Sequence, residues 1–242
     1  MIWKTWGGRC IYQMEGIRVQ QNFFYRWLTF DDGALQTVIN RRCPARSFLQ
    51  YIKPLTLCAR TAPGNSCLLG LGGASAAHAL QPYLKPFKLD VVENNQTVIN
   101  IARTYFNTQT IQNMHIIHQD ALTFVQQTTS DTYKHIMIDL FNAQTFPVQC
   151  NNSDFFKQCH RILLQEGILA LNVANLHDQW PILNYVREHF GHCIVSIPVK
   201  HCANLVVLAI KSPSVNALLR LINENDNLKQ LTWDSKWGYV AR

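Results

Sequence analysis

Four short segments of this chain place chemically useful residues where an α/β protein gathers its ligands. The first is Gly70-Leu71-Gly72-Gly73-Ala74-Ser75, a glycine turn after the apolar run Ser66 to Gly70. Glycines let a backbone come close to a ligand, and the free N–H groups of a following helix favour polar or anionic atoms. Tight strand-to-helix packing also asks for glycine, so the turn alone is a weak signal. The second is Glu93, twenty residues after Gly73, at the end of the run Lys88 to Glu93. A carboxylate there can accept both hydroxyls of a ribose. Glycine turn and acid together point to a nucleoside, and NAD fits that pair as well as any other. The third is Asp120-Ala121, after His115 to His118, where an acid can accept the exocyclic amine of an adenine and turns the reading away from NAD. The fourth is Asp139, closing the run His135-Ile136-Met137-Ile138 and expected at the floor of a pocket. A structural cap on the loop that follows is the other role open to Asp139.

These residues need a frame, and the hydrophobic pattern supplies one. From Cys10 to Asn40 short β-branched and aromatic runs (Ile11 to Gln13, Ile17 to Val19, Phe23 to Phe30, Leu35 to Ile39) are punctuated by Gly16 and Asp31-Asp32-Gly33. This is the signature of a small antiparallel sheet. A helix is expected from Pro44 through Tyr51, and an apolar stretch then runs from Pro54 to Ala59. Beyond Asn65 strands and helices alternate. Strands are expected at Ser66 to Gly70, Lys88 to Glu93, His115 to His118, His135 to Asp139 and Ile168 to Val173. Helices are expected at Ala74 to Leu84, Asn95 to Phe106, from about Ala121, from a cap at Ser153 or Asp154 to Leu164, and from about Gln179 to Phe190. Cys193 to Val199 and Leu205 to Ile210, joined by a short connection, read as an antiparallel hairpin at one edge. A last helix, about Val215 to Asn223, precedes a tail with Trp233, Trp237 and Tyr239, in which Trp233 and Trp237 are expected to close the core. The alternation predicts an α/β fold. It is Rossmann-like and doubly wound, with a mostly parallel seven-stranded sheet and a small N-terminal antiparallel β-segment. The division falls at residues 1–52 for the β-segment and 53–242 for the nucleoside-binding domain.

Composition narrows the function classes. The 242 residues are 48% hydrophobic, enough for a sizeable core, and no apolar run is long enough to span a membrane. Nothing at Met1 to Arg9, with Trp3 and Trp6, reads as a signal peptide, so a cytoplasmic protein is expected. The net charge of +7 permits an anionic partner, but the basic residues are scattered, with Arg41, Arg42 and Arg46 the tightest group. That pattern indicates a solvated surface rather than a nucleic-acid partner. The eight cysteines match no zinc spacing, so no metal is expected, and Cys67, Cys193 and Cys202 read as small buried hydrophobes of a reduced protein.

The runs Leu68-Leu69-Gly70-Leu71-Gly72-Gly73, Val91-Val92-Glu93, Gln119-Asp120-Ala121 and Ile138-Asp139 resemble the spermidine synthase family in order and spacing. Leu28-Thr29-Phe30-Asp31-Asp32-Gly33-Ala34-Leu35-Gln36 resembles the family's N-terminal β-segment, and Phe155-Phe156 to Leu163 with Glu166-Gly167-Ile168-Leu169 extends the match. About residues 10 to 210 are covered. The glycine turn and Glu93 would fit any class I methyltransferase, and the N-terminal segment is what makes the resemblance specific. It implies that Gln36, Gly70, Gly72, Gly73, Glu93, Asp120 and Ala121 bind an S-adenosyl sulfonium nucleoside. Gln36 would line the pocket, Glu93 hold the ribose, Asp120 meet the adenine amine and Asp139 sit at the transfer centre. It also implies decarboxylated S-adenosylmethionine as co-substrate, a small-molecule amine as acceptor and a homodimer as the assembly.

Three positions depart from the family pattern. Gly73 stands where the first loop carries an acid, Asn142 stands for the second acid of the fourth-strand motif, and Arg46 to Tyr51 occupies the region of a Tyr-His-Glu signature. A buried hydrogen bond to a charged group contributes about 1.5–3 kcal/mol. Losing two acids therefore weakens diamine binding by roughly two to four orders of magnitude, which puts putrescine in question. Three readings follow: an aminopropyltransferase, an S-adenosylmethionine-dependent methyltransferase, and a non-catalytic nucleoside-binding relative. A cation near the glycine turn would favour the methyltransferase, because only the carboxylated nucleoside needs one. His78 and Lys85 follow that turn, with His78 expected at the surface.

Overall fold

Alternating β-formers broken by turn residues make four N-terminal strands: β1 (Arg9–Met14), β2 (Ile17–Gln21), β3 (Tyr25–Phe30) and β4 (Leu35–Asn40). They pair in chain order as an antiparallel sheet. Glu15 and Gly16 both have positive φ, the geometry a two-residue hairpin loop needs to match strand twist. The computed structural model describes residues 7–30, 33, 35–140, 145–224 and 230–241. Asp31 and Asp32 of the expected turn, Trp3, Trp6, and Asn142 with its neighbours lie outside the described residues.

The helix expected from Pro44 through Tyr51 does not form. Residues 41–51 run as turns and bends, and the helices come later as α1 (Ile52–Leu55) and α2 (Leu57–Thr61). Polar side chains in the segment satisfy backbone groups locally and compete with a helix: Asn40 Oδ1 accepts from the N–H groups of Arg42 and Cys43, and Ser47 Oγ donates to the Leu49 carbonyl. Pro54 falls in the first turn of α1, where its missing N–H costs nothing.

The alternating part follows as β5 (Ser66–Leu69), α3 (Ser75–Leu80), β6 (Leu89–Glu93), α4 (Gln96–Tyr105), β7 (Met114–His118), α5 (Ala121–Gln127), β8 (Tyr133–Ile138) and α6 (Ser153–Ile162). It continues through β9 (Leu163–Val173), α7 (Leu176–Phe190), β10 (Ile194–Pro198), β11 (Leu205–Ile210), α8 (Asn216–Asn223), β12 (Leu231–Asp234) and β13 (Gly238–Ala241). Asn152 caps α6 in place of Ser153 or Asp154, accepting the Phe155 N–H at 3.0 Å. Asn175 caps α7 three residues earlier than expected, accepting from His177. The sheet order is β12-β13-β10-β11-β9-β8-β5-β6-β7. The seven expected strands run from β10 to β7, and the aromatic tail adds two more. β13 lies parallel to β10 through Val195↔Tyr239 and Ser196↔Val240, giving partners to an edge that would otherwise present bare N–H and C=O groups. Trp233 therefore does not close the core. It is 58% exposed on the new edge and meets Tyr239 edge-on, whereas Trp237 packs against Trp180.

The sheet separates two apolar layers. Leu68, Val91, Met137 and Val206 face α1 and α3, while Cys67, Leu69, Ile138 and Val207 face the phenylalanines of α6. A third cluster joins Ile17, Val19, Leu28 and Ile39 of the small sheet to Val98, Ile101 and Phe106. The small sheet is thereby set over α4, beside the turn that leaves β5. Among the described residues no helix is long and apolar enough to cross a membrane. Cys67 and Cys193 are buried as expected. Cys202 is exposed, because it sits in the β10–β11 connection rather than on a strand.

Candidate functional site

The chain steps from β5 outward to β6 and β7, then returns to β8 on the other side of β5. The carboxyl ends of β5 and β8 thus flank the point where strand order reverses, the place where open α/β sheets bind ligands. Gly70 and Asp139 sit there side by side. Gly70 has φ +97°, and a Cβ on it would strike the Asp139 carbonyl, so only glycine lets the two strand ends lie this close.

A cavity of about 990 Å³ opens at this point. Of the sequence-chosen residues, Gln36, Gly70, Gly72, Glu93 and Asp139 line it together. Asp120 and Ala121 line a separate cleft of about 30 Å³ that shares Glu93, Asn94, Leu140 and Pro147 with the larger cavity. Gly73 lines neither. It is buried, and its N–H donates to Thr37 Oγ1 of β4 at 2.9 Å. A Cβ at Gly73 would come within 2.6 Å of Thr37 Cγ2 and 2.9 Å of Phe106 Cε1, so the volume an acidic side chain would need there is filled.

Glu93 is fixed by two backbone donors: Leu71 N–H to Oε2 at 3.1 Å and Asn95 N–H to Oε1 at 3.0 Å. Each oxygen keeps a lone pair for a ligand hydroxyl. Asp120 caps α5 by accepting the Thr123 N–H at 3.0 Å, and its other oxygen lies 3.4 Å from the Gln149 amide.

Asp139 is held from both sides. Tyr51 Oη donates to Oδ2 at 3.1 Å, and Asn172 Nδ2 of β9 donates to Oδ1 at 2.9 Å. Asn204 Nδ2 in turn donates to Asn172 Oδ1 at 2.8 Å. Surrounding protein strips water from the carboxyl and pushes its pKa up, and the Asn172 and Tyr51 hydrogen bonds pull part of that back. Burial and the adjacent Asp139 raise the Tyr51 phenol well above its ordinary value, so it stays protonated and donates. A carboxylate that is partly open to a cavity, basic for its type and fixed in orientation can take a proton from an amine.

Tyr51, Asn172 and Asn204 were not among the residues chosen from sequence. A polar Asn172 inside the apolar run Ile168 to Val173 is a signal that could have found one of them. Neither of the cations that follow the glycine turn, His78 and Lys85, lines the cavity; its described lining takes Lys200 instead, from the connection between β10 and β11. His78 is buried rather than at the surface, with Nε2 2.6 Å from the Phe106 carbonyl, because α3 is covered on all sides. Burial pulls its pKa down.

A glycine turn at the switch point of a mostly parallel sheet, with acids ending the neighbouring strands, defines an α/β protein of the Rossmann-like, methyltransferase-like class. Residues 46–203 match the spermine/spermidine synthase domain, and the chain belongs to that family. A polyamine aminopropyltransferase of Vibrio vulnificus is 28% identical over 121 residues, which span 48% of this chain and only 40% of that protein. The polyamine aminopropyltransferase of Chromobacterium violaceum is 23% identical over 221 residues, covering 89% of this chain and 84% of that one. The crystal structure of a probable spermidine synthase from Corynebacterium glutamicum superposes with a TM-score of 0.71 at 18% identity. The superposition covers 89% of this chain and 87% of that one and shows a shared fold.

Proposed function

We propose that this protein transfers an aminopropyl group from decarboxylated S-adenosylmethionine to an amine, the reaction type of polyamine biosynthesis. The observation that carries the reading is the carboxyl of Asp139, held between Tyr51 and Asn172 at the end of β8 and facing the same cavity as Glu93. Glu93 fits the two ribose hydroxyls, the backbone of Gly70 and Gly72 lets the nucleoside lie close, and Gln36 closes the pocket from β4. Asp120 fits an adenine amine if Gln149 yields its place. The sulfonium supplies a carbon activated for displacement: the amine lone pair forms the N–C bond, and the C–S pair leaves on sulfur as a neutral thioether nucleoside. Asp139 takes the proton that the attacking ammonium must lose, and its hydrogen bonds keep the amine and the reacting carbon aligned.

The test is release of the thioether nucleoside from decarboxylated S-adenosylmethionine in the presence of a panel of primary amines. Asp139→Asn is expected to slow release by about 10²–10⁴-fold while nucleoside binding persists. Equal turnover by that variant, or methyl transfer from S-adenosylmethionine with no reaction of the decarboxylated form, would overturn the reading.

A further inference from the structure

The connection between β10 and β11 forms the wall of the cavity on the Asp139 side. It is anchored where it meets the sheet. Gln179 Nε2 of α7 donates to the Ala203 carbonyl at 2.7 Å, Asn204 is tied to Asn172, and the Val199 N–H donates to the Asn204 carbonyl at 2.9 Å. Asn204 at the end of the connection reaches Asp139 through Asn172, which sets this wall against the Tyr51–Asp139 pair. At the tip of the connection Lys200 and His201 face the cavity, with His201 in the left-handed region at φ +62°. Neither makes an ion pair with a described residue.

The charges of this end are therefore unusual for a site meant to hold a diamine. A diamine enters as a dication, and each ammonium is held most strongly by a carboxylate. Among the described lining residues the acids are Glu93, at the nucleoside end, and Asp139. The other polar groups that hold Asp139 are neutral, the Tyr51 phenol and the Asn172 amide backed by Asn204, and Lys200 of the same lining is a positive charge. Among the described lining residues a second ammonium there finds no further carboxylate and meets the charge of Lys200, whereas an anionic group would meet an ammonium donor without an ion-pair partner among those residues.

We propose that the β10–β11 connection is an anion subsite, in which Lys200, with His201, holds the far end of an acceptor that carries a primary amine at one end and an anionic group at the other. The proposal rests on the aminopropyl-transfer reading of the same cavity and names its substrate class. Lys200 sets which acceptor is taken, and Asp139 receives the proton of the acceptor's amine.

The experiment is a calorimetric titration of the full chain saturated with the thioether nucleoside product. The titrants are an ω-amino carboxylate, an amine bearing a phosphate, and 1,4-diaminobutane. Wild type is expected to bind at least one of the two anionic amines about tenfold or more tighter than the diamine, and the two arms tell carboxylate from phosphate. Lys200→Met should abolish that preference and Lys200→Glu reverse it, both at an exposed loop position where the fold is not at stake. Equal or tighter binding of the diamine by wild type, binding of neither anionic amine, or a preference unmoved in Lys200→Glu would each overturn the proposal. Turnover is read separately with decarboxylated S-adenosylmethionine. Charge-selective binding without turnover on any acceptor would sink aminopropyl transfer and leave the subsite standing. Turnover with diamines preferred would do the reverse.

Discussion

Replacing Tyr51 with Phe removes a single hydroxyl and keeps the ring that packs near α1. The lost bond is the 3.1 Å donation to Asp139 Oδ2, leaving the carboxyl held by Asn172 alone. A hydrogen bond to a charged group contributes about 1.5–3 kcal/mol, which at about 1.4 kcal/mol per decade lowers kcat/KM by roughly 10- to 150-fold. The direction of the pH effect is also fixed. The Tyr51 bond pulls the Asp139 pKa down against the rise caused by burial, so removing it raises that pKa further. The base must be ionised to work, and the acid limb of the kcat profile should therefore move to higher pH. The assay is thioether nucleoside release across pH, with calorimetry of the nucleoside alone as control, since Tyr51 does not touch Glu93. A variant with unchanged kcat/KM and an unmoved acid limb would refute the assignment of Asp139 as a base held by Tyr51. A lower rate with weakened nucleoside binding would point to general damage instead.

Glu93→Gln is expected to weaken binding of the thioether nucleoside by about 10- to 100-fold in calorimetry, because one of the two backbone-fixed oxygens becomes a donor. Gly70→Ala should cost about 2–4 kcal/mol in urea unfolding and abolish nucleoside binding, since its Cβ meets the Asp139 backbone at a positive φ. Buried His135, whose ring is 2.7 Å from the Ala62 carbonyl, is pushed down from 6.5 to about 4. Between those values the unfolded chain binds a proton that the folded chain refuses, so stability falls as pH drops through this window, by on the order of 3 kcal/mol in all. His135→Gln should flatten that part of the pH–stability curve, and a slope equal to wild type would remove His135 as its cause.

The frame was legible because period and punctuation agreed. Ser66 to Gly70, Lys88 to Glu93 and His135 to Asp139 are apolar runs ended by chemistry-bearing residues, and they form β5, β6 and β8 with those residues near one switch point. What escaped was set by tertiary partners. Tyr51 lies in a segment that reads as helix after Pro44, and only the return of the chain to the sheet brings its hydroxyl to Asp139. His78 carries no sequence mark of burial. It is covered because α3 packs against Val38 of the small sheet, α1 and the large sheet, with Phe106 supplying an acceptor for its ring. The tail strands β12 and β13 are too short and too aromatic to distinguish from core-closing residues until β10 offers its free edge. Glu93 and Asp139, placed by strand pattern and spacing, and Gln36, implied by the resemblance, line one cavity, while Asp120 and Gly73 stand apart from it because one caps a helix and the other is enclosed.

The enclosure of Gly73 also constrains how this site can evolve. Thr37 and Phe106 occupy the volume that a side chain at position 73 would need, and they come from different elements, the small sheet and the end of α4. An acid introduced there alone meets packed carbon. Trimming Thr37 alone opens a void and removes the acceptor of the Gly73 N–H. Each single step costs stability, so an acid-bearing first loop requires compensating substitutions made together. That mutual dependence makes position 73 an epistatic trap.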